Sequence, residues 1–399
     1  MHSMRLARVV VGAVVAMGVA GCSELGGGGA WRDLYRGGAT LAGWHEVGGG
    51  VWSIEDGVIV GRTGDGRYGW LVTDEAYADF VLELECKHEG KGNSGIQFRS
   101  HVIDGTMYGW QADFDPPASD RAGAVYDEGG KRQWIAKATA PAAAAFKEGD
   151  WNRYRITCAG DHVTVDVNGV KAVDFHDRQF TRGVIALQVH SGKKRPVHVK
   201  FRNVRVKVLD EYAGFTPLFD GKTLAGWRVA GDEQWKVEDG DIVASCKQGA
   251  QYCYLVSEKT YRDFDAKLRF KWETQTGNSG FFFRCTIDGV DIKGPQAEIS
   301  SGPGLHTGLI YSHGWRNMGM WDALKDKVYR VGAWNTMEVR AVGPAITVHV
   351  NGWPVTENLV DKELPREGII ALQMHSGAAM KIRFKDLWIK VLDGEAVSR

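Results

Sequence analysis

Gly92-Asn93-Ser94-Gly95-Ile96-Gln97-Phe98-Arg99 returns later in the chain as Gly277-Asn278-Ser279-Gly280-Phe281-Phe282-Phe283-Arg284. Gly and Asn tolerate positive φ, so each Gly-Asn-Ser-Gly predicts a tight turn. The apolar/polar alternation that follows predicts a strand. Ile96 and Phe98 fall on one face, Gln97 and Arg99 on the other. The polar face of a strand is thus expected to carry an arginine twice, at Arg99 and at Arg284.

The repetition extends outward from this stretch. Leu41-Ala42-Gly43-Trp44 matches Leu224-Ala225-Gly226-Trp227, and Trp52 to Gly57 matches Trp235 to Gly240. Tyr77-Ala78-Asp79-Phe80 matches Tyr261-Arg262-Asp263-Phe264, and Trp151-Asn152 matches Trp334-Asn335. Val167-Asn168-Gly169 matches Val350-Asn351-Gly352, and Ile185 to Gly192 matches Ile370 to Gly377. The offset stays between 183 and 185, so the repeating unit is a whole domain and not a solenoid repeat. The units span residues 31–210 and 211–394, joined by a short link around Gly214. So short a link implies two domains packed together. Short alternating runs, many glycines and few helix-period patterns predict an all-β chain, each unit a two-sheet jelly roll. Trp44, Trp52, Trp151 and their partners read as core. Lys and Arg (49) balance Asp and Glu (49), and no broad basic surface points to nucleic acid.

Residues 1–22 read as a targeting segment. Arg5 and Arg8 precede an apolar run, and Val19-Ala20-Gly21-Cys22 resembles a bacterial lipoprotein signal with Cys22 lipidated. Residues 23–30 form a glycine-rich tether. Ser23 after the cysteine points to an outer-membrane or periplasm-facing lipoprotein of the cell envelope. In that oxidising compartment Cys86 and Cys158, both without counterparts in the second unit, are a candidate disulfide. Cys246 and Cys253 flank a stretch that reads as a hairpin, and Cys285 is left as a buried thiol.

Polar residues recur in register on the predicted strands. Gln188 and His190 share a face, as do Gln373 and His375. Gln111 and Asp113 correspond to Gln296 and Glu298, and Tyr126 to Tyr311. Each residue alone is an ordinary surface group. The set, kept in order in both units, points to a polar pocket on one sheet.

With these motifs the chain resembles two tandem copies of the 3-keto-disaccharide hydrolase domain, whose fold is a concanavalin A-like, laminin G-like sandwich. Leu218 to Leu224, the Trp-x-x-Glu-Asp-Gly segments, Gly-Asn-Ser-Gly-x-x-x-Arg, Leu-Gln-x-His-Ser-Gly and Phe201-Arg202-Asn203-Val204 carry the resemblance. It implies action on glycosides whose sugar bears a ketone at C3. That ketone acidifies the C2 hydrogen. A base then forms an enolate, the enolate expels the C1 oxygen by β-elimination, and added water completes a net hydrolysis. On this reading His190 is the base and Arg99 stabilises the enolate. Asp113, Tyr126 or Glu128 protonates the leaving oxygen or orients the histidine. Gln111, Gln188 and Asn93 hold sugar hydroxyls, and Trp110 with Tyr108 offers a stacking platform. A divalent cation on Asp113, Glu128 and His190 is the alternative electrophile.

The second unit has Ser312 and His313 where the first has Asp127 and Glu128. The first unit is therefore the favoured catalytic domain. Competing readings are a non-catalytic, lipid-anchored carbohydrate-binding protein and a glycosidase with two facing carboxylates.

Overall fold

The computed structural model describes residues 29–392 except 91, 115–120, 193–195, 233, 305 and 321. Cys22 and most of the tether lie outside the described residues. Four antiparallel sheets form two sandwiches, one for each repeat, as the jelly-roll expectation required.

In the first sandwich one sheet runs Val170–His176, His162–Val167, Asn152–Ala159, Phe80–His88, His198–Val208, Val58–Thr63, Gly50–Glu55. The facing sheet runs Trp134–Ala136, Val125–Glu128, Thr106–Phe114, Ser94–Ile103, Gly183–Val189, Gly69–Tyr77, Trp44–Gly48. The second sandwich repeats this plan. Its polar-faced sheet runs Trp227–Ala230, Cys253–Tyr261, Gly368–Met374, Asn278–Asp288, Gln296–Ser300, Ile310–Tyr311. Inward-pointing Ile96, Phe98, Trp110, Ala112, Phe114, Ile185 and Leu187 are fully buried. Each large side chain among them contributes about 1.5–3 kcal/mol by leaving water. Trp44, Trp52, Trp227 and Trp235 are core as expected. Trp151 and Trp334 are only half-buried, and each carries a cation over its ring, Arg202 at 4.0 Å and Lys385 at 4.2 Å.

The opening motif is not a tight turn. Ser94 and Gly95 already belong to the strand, and neither Asn93 nor Gly95 takes positive φ. Ser94 Oγ donates to the Gln188 carbonyl and Ser279 Oγ to the Gln373 carbonyl, each at 2.6 Å, fastening the strand to its neighbour. Glycine is needed for space. A Cβ on Gly95 would lie 2.3 Å from Gln111 Cδ, and one on Gly280 would lie 2.1 Å from Gln296 Oε1.

Arg99 and Arg284 do not reach the polar face. Each sits at a bulge with positive φ, 46° and 52°, where the register slips and the alternation breaks. Arg99 is buried and donates to the carbonyls of Ala78 (2.8 Å), Gly160 (2.8 Å) and Phe180 (3.2 Å) and to the Asp79 carboxylate (2.8 Å). Arg284 repeats the clamp on Arg262 O, Gly343 O and Asp263. The Asp of the repeated Tyr-x-Asp-Phe motif is thus the counter-ion of the repeated arginine.

The cysteine pairing is also corrected. Cys86 and Cys158 are buried free thiols at opposite ends of paired antiparallel strands. Asn152 faces Cys86 and Cys158 faces Phe80, which separates the two by roughly 20 Å of strand. Cys246 and Cys253 end strands of opposite sheets, so the link between them is an arch and not a hairpin. Cys285 is a buried free thiol, as read.

The domains meet at a hairpin. Asn351 and Gly352 take φ of 52° and 83°, as an Asn-Gly turn should. Gly352 packs so closely that a Cβ would lie 2.2 Å from the Arg182 carbonyl oxygen. Trp353 then enters the first domain beside His101 (5.3 Å), Phe180 (5.5 Å) and Tyr108 (5.9 Å).

Candidate active site

Alternation delivers the polar set to the outer face of one sheet in each domain. On Thr106–Phe114, Trp110, Ala112 and Phe114 fill the core while Gln111 and Asp113 point away. On Gly183–Val189, Ile185, Leu187 and Val189 are core and Gln188 lies opposite. Cross-strand register then aligns Tyr126, Gln111 and Gln97 in one row.

Three hydrogen-bonded groups occupy this face in the first domain. In one, Asn93 Nδ2 (2.7 Å) and Gln111 Nε2 (3.3 Å) donate to Asp113 Oδ1, and Gln97 Nε2 donates to Gln111 Oε1 (2.8 Å). In the second, Gln188 Nε2 donates to Glu128 Oε2 at 3.3 Å, and in the third His190 Nε2 lies 2.9 Å from the Tyr68 hydroxyl. Burial raises the Glu128 carboxyl above the usual carboxylate range, against the Gln188 bond.

The second domain repeats the arrangement around a cleft of about 300 Å³. Asn278 Nδ2 donates to Glu298 Oε1, Gln296 Nε2 to Oε2 (3.2 Å), and Ser300 Oγ to Oε1 (3.1 Å). Burial pushes Glu298 up to about 7, poised for proton transfer near neutrality. His375 Nε2 lies 3.1 Å from the Tyr252 hydroxyl. Gln373, Tyr311 and His313 complete the wall.

Most of the expected residues therefore gather: Asn93, Gln111, Asp113, Tyr126, Glu128, Gln188 and His190, with Gln296, Glu298, Tyr311, Gln373 and His375. Four do not. Arg99 and Arg284 are held in their clamps. Trp110 is fully buried among Phe98, Phe175 and Phe180 at 5.6–5.8 Å and offers no platform. Tyr108 packs on Trp353 of the second domain. Asp127, counted earlier as a carboxylate lost from the second unit, is buried on the other side of its strand and accepts from the Arg132 amide (3.2 Å). Among the described residues, no three His, Cys, Asp or Glu side chains gather to hold a metal ion. The proposed ligand set of Asp113, Glu128 and His190 does not fit a cation.

Sequence reading missed two features. Tyr68 and Tyr252 stand 184 residues apart, within the constant offset that marked the repeat, so that offset was the available signal. The second feature is a tryptophan edge-on to the row tyrosine. Trp134 meets Tyr126 (5.1 Å, 66°) and Trp315 meets Tyr311 (5.4 Å, 78°). In both domains the two residues are cross-strand partners. The tryptophan follows its tyrosine by eight residues in one domain and four in the other, so alignment by offset hides the equivalence.

Three glutamine carbonyl oxygens on these faces, Gln188 Oε1, Gln296 Oε1 and Gln373 Oε1, are buried with no hydrogen-bond partner among the described residues. Such groups are uncommon in folded proteins and are suited to accept from a ligand hydroxyl.

No curated protein sequence matches the chain. Among solved structures, a Parabacteroides distasonis protein provisionally named a glycosyl hydrolase is 25% identical, with 47% of this chain and 99% of that chain covered and a TM-score of 0.36. A second from the same organism is 26% identical over 45% of this chain and 99% of that chain, with a TM-score of 0.35. The carbohydrate-binding module CBM66 from Bacillus subtilis is 19% identical over 41% and 95%, with a TM-score of 0.31. The family model for the 3-keto-alpha-glucoside-1,2-lyase-like domain matches residues 30–207 and again 214–390. Those two segments take in most of the chain, which therefore belongs to the 3-keto-alpha-glucoside-1,2-lyase-like family and carries its domain twice.

Proposed function

We propose that this protein cleaves 3-keto-glycosides at the cell envelope by removing the C2 proton and eliminating the C1 oxygen. The observation that carries the reading is a histidine–tyrosine pair repeated in both domains, each on the same sheet as a carboxyl raised by burial, Glu128 in the first and Glu298 in the second. The Tyr68–His190 pair supplies the base. Glu128, kept protonated further toward neutrality by burial, donates to the leaving oxygen. The amides of Gln111, Gln188 and Asn93 meet sugar hydroxyls and the enolate oxygen, taking the place first given to Arg99. Asp113 holds Asn93 and Gln111 in position. In the second domain His375 takes the histidine's part, and Glu298, at the position of Asp113, is the carboxyl left to act as the acid. The first domain remains the favoured catalyst, because it alone has a carboxyl at the position of Glu128. Lipidation at Cys22 would hold both sites at the membrane surface.

A second reading gives the second domain a binding role alone. The exposed Tyr311–Trp315 pair at its cleft favours this, since such rings stack on sugar faces.

Incubating the protein without residues 1–22 with a 3-keto-glucoside and with the matching unoxidised glucoside tests the main reading. Release of the aglycone from the keto sugar alone is expected. Equal release from both sinks the keto-dependent mechanism, and release from neither sinks the enzyme.

A further inference from the structure

The environment of the histidine identifies which group meets the substrate. In the second domain the Ser376 carbonyl, which can only accept, lies 2.9 Å from His375 Nδ1. Nδ1 therefore carries the proton of the neutral ring and Nε2 is an acceptor. Tyr252 lies 3.1 Å from Nε2, so its hydroxyl donates. The first domain repeats the pair, with Tyr68 Oη 2.9 Å from His190 Nε2 and Ser191 Oγ 3.3 Å from Nδ1. Each imidazole stands edge-on to its tyrosine, at 4.5 Å and 60° for Tyr68 and 4.7 Å and 63° for Tyr252. Each tyrosine is backed by a nearly parallel ring, Trp70 or Tyr254. These two tyrosines are 38% and 36% exposed. The core phenol of Tyr154, by contrast, donates to a backbone carbonyl and sees no solvent.

We propose that Tyr68–His190 and Tyr252–His375 are proton-relay dyads in which the phenol oxygen, and not the imidazole, takes the C2 proton. This rests on the 3-keto-glycoside reading. The C2–H bond breaks and a new Oη–H bond forms, while the original phenolic proton passes to Nε2. The products of the step are an enolate and an imidazolium. The enolate electrons then form the C1–C2 double bond as the C1–O1 pair leaves with the oxygen. The carboxyl of half-buried Glu128 or buried Glu298 protonates that oxygen. Solvent then takes the imidazolium proton and returns one to the carboxylate. Nothing is oxidised or reduced.

The test uses the full chain and two substrates. One is a 3-keto-glucoside. The other is 3-keto-1,5-anhydroglucitol, which has no leaving group and reports C2 proton exchange into heavy water by NMR. The variant Tyr68→Phe/Tyr252→Phe keeps both rings and loses both hydroxyls. Exchange and release are each expected to fall by about 100-fold or more, with the thermal midpoint unchanged. Placing 3-fluorotyrosine at both positions keeps the shape and makes the phenol more acidic. It must move the pH–rate profile to lower pH, a shift that a merely structural tyrosine would not cause. Wild-type exchange in the phenylalanine variant, or an unmoved profile with fluorotyrosine, overturns the relay and leaves the 3-keto reading standing. A wild-type protein that neither exchanges nor releases overturns both.

Discussion

The two domains keep one feature unchanged and alter another in concert. The arginine clamp is the same in both: a buried guanidinium at a bulge, an Asp counter-ion and backbone carbonyls. The polar face has diverged. Gln97 and Ser100, hydrogen-bonded at 3.0 Å, are replaced by Phe282 and Cys285, which join an apolar cluster with Tyr254 and Ala371. Glu128 is replaced by His313, and the tryptophan edge-on to the row tyrosine comes from a different point in the loop. The clamp is required by the sandwich. The face beside it can change, because what it must fit is a ligand. The most identical stretch of the repeat is therefore the less informative one about chemistry.

The largest effect should come from breaking the clamp. Arg99→Ala leaves Asp79 largely buried without its partner and should cost about 3–5 kcal/mol in denaturant unfolding, and Arg284→Ala should cost a similar amount. Wild-type stability with lost turnover would return the arginine to the active site. Next is the pH dependence of the second domain. Glu298 holds its proton to about pH 7 when folded, whereas an unfolded chain releases it near the ordinary carboxylate value of 4.5. Between those values the folded state binds more protons, so stability falls as pH rises, by about 3 kcal/mol in all. Glu298→Gln should abolish that slope in thermal unfolding measured from pH 4 to 8. A slope unchanged by the substitution would place the titrating group elsewhere.

Smaller effects should sharpen the contrast between the faces. Gln97→Phe takes the donor from Gln111 Oε1 and should destabilise the first domain by about 1–3 kcal/mol. The second domain already bears that loss, since Gln296 Oε1 has no partner among the described residues. An unchanged midpoint would show that Gln97 does not support the row. Least disruptive is Trp315→Ala. Its ring is 38% exposed, so unfolding should be unmoved, while sugar affinity in titration calorimetry should weaken by about 1 kcal/mol. Unaltered affinity would remove the ring from the site.

Much of this was legible in the chain. The constant offset established two equal domains, and period-two alternation put Gln111, Asp113, Gln188 and His190 on one face. Alternation failed where the backbone departs from it. The bulge at Arg99 turns that side chain to the core, and nothing in a local pattern announces a bulge. Trp110 was misplaced for a different reason. Its neighbour Gln111 was read as polar-facing, and strict alternation already required Trp110 to point inward. The opening motif reads as a turn, whereas Gly95 and Gly280 are needed for space against Gln111 and Gln296 on the adjacent strand. Trp134 and Trp315 were hidden by unequal loops, since only cross-strand pairing shows their equivalence.

The central claim is a keto-dependent reaction at the histidine-bearing faces. Its most direct test is aglycone release from a 3-keto-glucoside by the wild type, His190→Ala, His375→Ala and the double variant. The account predicts that His190→Ala loses most of the release, His375→Ala less, and the double variant all of it, with the unoxidised glucoside inert throughout. Wild-type release by the double variant would contradict it.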